Sequence, residues 1–132
     1  MSSTVTQIFT GAYSIFSDTA APATTAEGIK NSLTSVYWVS ADNTQNSGAV
    51  YLQVFNQPSG NATVGVTPAD FIMYIGGSSQ ETYDFSAALT ALPLALLNGP
   101  WVFSNGLSIA CTTTPNGNSA PSSPVIITIA YN

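Results

Sequence analysis

Histidine is missing from this sequence, and cysteine occurs once, at Cys111. Without histidine the chain lacks the commonest general base and the commonest metal ligand. Ser-His-Asp and Cys-His nucleophile systems are therefore excluded, as are zinc sites that use imidazole. One cysteine excludes an intramolecular disulfide and a four-cysteine metal site within the chain. Cys111 sits in "GLSIACTTT", an apolar-polar run in which a small buried side chain is expected. Bases are nearly absent too: Lys30 is the single one, and the formal net charge is −5. Binding to nucleic acid requires several cations to displace counterions from phosphates, so no direct nucleic-acid role is expected. Anionic membrane surfaces are disfavoured for the same reason. No run of apolar residues approaches the length of a membrane-spanning helix, so no membrane span is expected. The start, "MSSTVTQIFTGAYSIF", has no basic segment ahead of an apolar one. It does not read as a signal peptide, and the chain is expected to act without classical export.

Charge of either sign is scarce, at 5% of residues against about 25% in an ordinary soluble domain. The acids are Asp18, Glu27, Asp42, Asp70, Glu81 and Asp84, all beside turns. Glycoside hydrolysis needs two carboxylates across a cleft, about 5 Å or 6.5–9.5 Å apart. Glu81, Asp84 and Asp70 are the only candidates for such a pair, and the sequence gives them no supporting motif. We expect no catalytic residues and no enzyme activity. "DNTQNSG", from Asp42, offers several oxygen atoms in a loop, as calcium would require. It lacks the acids of a strong site and reads better as a solvated turn. "NAT" at Asn61 matches a glycosylation sequon but reads as a turn. No glycine-rich loop leads into a helix, so no phosphate cradle is expected. No metal or cofactor is assigned.

What the chain does have is strand chemistry. Residues 4–9, 32–40, 48–56, 70–76, 106–113 and 124–132 are rich in Val, Ile, Thr, Tyr and Phe. They are separated by Gly, Pro, Asn and Ser in "DNTQNSG", "NQPSGNATVG", "GGSSQ" and "TTTPNGNSAPSSP", which are turn sequences. The pattern predicts an all-β fold of antiparallel strands, a β-sandwich or jelly-roll-like domain spanning residues 1–132. Both faces of the run Val50 to Phe55 are apolar, which predicts a strand covered on both sides, by a second sheet or a neighbouring subunit. Residues 1–30 read as an edge strand with a surface loop, or as an arm. "SAALTALPLALLNGPW", residues 86–101, breaks the rhythm: it is almost wholly apolar and uncharged. It reads either as a loop or short helix over the sandwich end, or as a patch that docks on another chain. On the second reading Leu89, Leu92, Leu94, Leu96, Leu97 and Trp101 are interface residues.

Trp38 and Trp101 are candidates for a sugar-stacking platform, although most aromatic residues lie in strand runs and are expected in the core. The order of "GAVYLQVFNQPSGNATVGVTPADFIMYIGGSSQETYDF", "GPWVFSNGLSIACTTT" and the closing "VIITIAYN" resembles small virion proteins of tailed bacteriophages. The resemblance covers residues 33–132 and is carried by structural motifs. It implies a capsid decoration, or cement, protein on the virion exterior. Its partners would then be the major capsid protein and further copies of itself, as a dimer or trimer. The alternative is a tail-associated or lectin-like module that binds surface glycans through aromatic and amide side chains.

Overall fold

The computed structural model describes the backbone of residues 2–6, 13–18, 25–85 and 101–132, and side chains from residue 25 onward within that set. All regular structure there is β, in ten strands: β1 Ser2–Thr6, β2 Tyr13–Asp18, β3 Glu27–Lys30, β4 Thr34–Asp42, β5 Val50–Phe55, β6 Phe71–Ile75, β7 Gln80–Asp84, β8 Trp101–Phe103, β9 Leu107–Thr112 and β10 Ile126–Tyr131. They form two antiparallel sheets. One has the order β1-β2-β10-β4-β7, with β8 also on β4; the other has the order β3-β9-β5-β6. The pairings are nested: β5 with β6, β4 with β7 and β8, β3 with β9, β2 with β10. That is the pairing of one long antiparallel ribbon folded over on itself.

Strand alternation explains the core. Val36, Val39, Ala41, Ile127 and Ile129 from the larger sheet meet Val50, Leu52, Val54, Met73, Ile75, Leu107, Ile109 and Cys111 from the smaller one. Apolar area removed from water in this layer is the main stabilising term. The sequence reading of a doubly covered β5 is correct, and its second cover is intramolecular. Phe55 packs with Ala26, Ala62, Val64 and Ala110 beneath the chain's own loops. Gln53, also buried, donates to Thr112 Oγ1 (2.8 Å) and the Gly117 carbonyl (3.0 Å). Cys111 is buried as expected.

The turn that begins at Asp42 is less solvated than its composition suggests. Asn43 and Asn46 are buried. The Asn43 amide donates to the carbonyls of Gly48 and Gly76, each at 3.0 Å. The Asn46 amide donates to Asn43 Oδ1 (2.9 Å) and the Ser123 carbonyl (3.0 Å), and Ser123 N–H donates back to Asn46 Oδ1 (2.9 Å). Two asparagines thus pin three loops. Gly77 completes the joint, because a Cβ there would collide with the Ser47 carbonyl.

Tyr37 is an irregular point. Trp38 pairs with Ala130 and Val36 with Tyr131, so Tyr37 is an extra residue in β4, a bulge. A bulge shifts the phase of alternation. Thr34 and Val36 are buried before it, Val39 and Ala41 after it. The shift therefore turns Trp38 and Ser40 to the outer face. On the other side of β4, residues 38, 37, 36, 35 and 34 meet 84, 85, 101, 102 and 103 in turn. β7 and β8 are two parts of one edge strand, in which Phe85 and Trp101 meet neighbouring positions on β4.

Candidate functional site

The outer face of the larger sheet carries a cleft of about 440 Å³ lined by Trp38, Ser40, Thr82, Asp84 and Thr128. Three strands build it. Thr128, Ser40 and Thr82 lie in one row across β10, β4 and β7, and Ala130, Trp38 and Asp84 in the next. Thr82 Oγ1 donates to Ser40 Oγ at 3.2 Å, so two of the hydroxyls are linked. Trp38 and Ser40 are half-buried, whereas Thr82 and Asp84 are exposed. The lining thus combines one indole, three hydroxyls and one carboxylate, with no base.

The two tryptophans have separate places. Trp101 belongs to an aromatic cluster on the inner side of the β6 and β7–β8 edges. Its ring lies 4.4 Å from Phe71, 5.1 Å from Phe85 and 5.5 Å from Phe103. Phe85 and Trp101 flank residues 86–100, so this cluster clasps the two ends of that segment. As one of the expected interface residues, Trp101 packs against its own chain; Leu89, Leu92, Leu94, Leu96 and Leu97 lie outside the described residues. With Val36, Val39 and Val54 the cluster also borders an apolar void of about 10 Å³, no larger than one water.

The acids weighed for catalysis are not brought together. Glu81 and Asp84, three apart on a strand, fall on opposite faces. Asp84 is exposed on the outer face and Glu81 lies opposite the core residue Ala41. Asp70 is on the other sheet, where its carboxylate accepts from Asn56 N–H at 2.7 Å. Among the described residues no cluster of three metal-ligating side chains occurs. The oxygen atoms of Asn43 and Asn46 are engaged inside the fold, so the Asp42 turn is a structural joint. Asp42 itself accepts from the Thr44 hydroxyl (2.6 Å) and backbone N–H (3.0 Å). These bonds, the hydroxyl's first, hold its carboxyl below the ordinary value of 3.8.

Sequence reasoning named Trp38 as a possible platform and Asp84 as a possible acid but did not join them, and it missed Ser40, Thr82 and Thr128. Only the register of three strands unites these residues. The slip in apolar alternation after Val36 was the available signal. No family model, curated protein or solved structure matches the chain.

Proposed function

We propose that this chain is a structural virion component, a capsid decoration protein that sits on the exterior of a phage head and associates with the major capsid protein and with copies of itself. The observation that carries the reading is the edge strand formed by β7, Phe85 and β8. Its pairing to β4 passes from Phe85 directly to Trp101, so the wholly uncharged, leucine-rich residues 86–100 fall between two neighbouring positions of one edge strand. Such a segment suits contact with another chain better than exposure to water. We take Leu89, Leu92, Leu94, Leu96 and Leu97 as contact residues, with Trp101 anchoring the segment's return.

Two further features support the reading. The nested strand pairing is compatible with a jelly roll, an architecture used by viral capsid and lectin domains; that is analogy at the level of fold. The second is the resemblance over residues 33–132. The mechanism would be burial of apolar and neutral polar surface across joints of the shell, which stabilises the assembled state by mass action. The test is decoration of heads prepared without this protein. Many copies per particle and a raised disruption temperature are expected. A handful of copies, or none, would overturn the proposal.

A further inference from the structure

We infer that the cleft around Trp38 is a binding site for a neutral saccharide. The argument begins with the bulge at Tyr37. Trp38 is half-buried on the outer face, and the part of its indole left accessible lines the cleft. Here the phase shift in β4 sets it there, beside Asp84 on the next strand. The apolar C–H face of a pyranose stacks on an indole, while its hydroxyls need acceptors and donors around the rim. Asp84 supplies the acceptor, and Ser40, Thr82 and Thr128 supply groups that both donate and accept.

The size fits as well: about 440 Å³ lies within the roughly 300–1,000 Å³ of small-ligand sites. Charge then narrows the class. The lining has one carboxylate and no cation, and the chain's single base, Lys30, is in β3 of the opposite sheet. The lining offers no cation to receive a sulfated, phosphorylated or sialylated group and does present the Asp84 carboxylate, so the ligand is uncharged. The inner aromatic cluster offers no such place, because Trp101 is packed against three other rings.

The two tryptophans make the test direct. In a Trp101→Phe variant, Trp38 is the only indole left. Its fluorescence is titrated with neutral oligosaccharides (cello-, malto- and chito-tetraose) and, in parallel, with a sialylated tetrasaccharide. A saturable change with at least one neutral probe, and none with the sialylated one, is expected. Isothermal calorimetry on the full chain should then show the same affinity. Asp84→Asn should weaken it about tenfold, equivalent to ~1.4 kcal/mol. Trp38→Ala should abolish binding, and Trp38→Tyr should retain part of it, which covers the case in which the alanine variant does not fold. Tyr74→Ala, an exposed aromatic on the other sheet, should leave binding unchanged. No saturable change with any neutral probe would overturn the inference. So would binding that survives in a folded Trp38→Ala, or preference for the sialylated probe. None of these outcomes bears on assembly, which is read separately.

Discussion

Buried amides hold this molecule's loops together, and they do so with uncharged groups. Among the described residues every buried side-chain polar atom has a hydrogen-bond partner, which is what keeps a polar interior affordable. Asn46 shows the consequence. Replacing it with Ala would leave Asn43 Oδ1 and both the N–H and carbonyl of Ser123 without their partners. An orphaned buried group such as Asn43 Oδ1 costs about 1–3 kcal/mol, and the half-buried Ser123 groups add less. We expect Asn46→Ala to lower unfolding free energy by about 2–4 kcal/mol in denaturant titration, with little change in secondary structure. Asp42 provides a second case. Its carboxyl is held below 3.8 by the Thr44 hydroxyl first and the Thr44 N–H second. A depressed folded-state value contributes stability above the ordinary value, and that contribution disappears as pH falls through the depressed one. Thr44→Val should therefore raise the Asp42 value in an NMR titration. It should destabilise the protein at neutral pH, and the difference should close in acid.

At the scale of elements, strands with regular chemistry were legible and irregular ones were not. β5, β6, β9 and β10 each fall within a Val-, Ile- or Tyr-rich run that turn residues bracket, and β4 runs two residues past the expected 32–40, to Asp42. β3, "EGIK", has a glycine and two charges in four residues, so nothing in it predicts a strand; its place comes from pairing with β9. β7, "QETYD", is an edge strand with an acid turned toward the core side, a sequence that discourages further strand addition and hides the strand signal. β8 was concealed in the apolar run beginning at residue 86. The cleft was the least legible feature, since Trp38 faces outward only because Tyr37 is extra. Thr82, Asp84 and Thr128 join it through register, which no local pattern encodes. The insertion at residues 86–100 follows the same logic. Phe85 and Trp101 both turn to the inner cluster, so a direct junction would need a bulge between them. Replacing residues 86–100 by Gly-Gly should therefore keep the β-rich circular dichroism spectrum and cooperative melting of the full chain.

For the whole molecule, the scarcity of charge sets the expected behaviour. One base and six acids leave few ion pairs to screen and little repulsion between copies. Self-association of the full chain should accordingly change little between low and moderate salt. Leu92→Asp should weaken it while the sandwich persists. A sharp dissociation as salt rises would mean an electrostatic interface, away from the leucine-rich segment. The most direct measurement is sedimentation velocity of the full chain beside the Gly-Gly replacement of residues 86–100, at matched concentration and with folding checked by melting. The account predicts an oligomeric full chain and a folded, monomeric replacement. A replacement that assembles as the full chain does, or one that cannot fold, would contradict it.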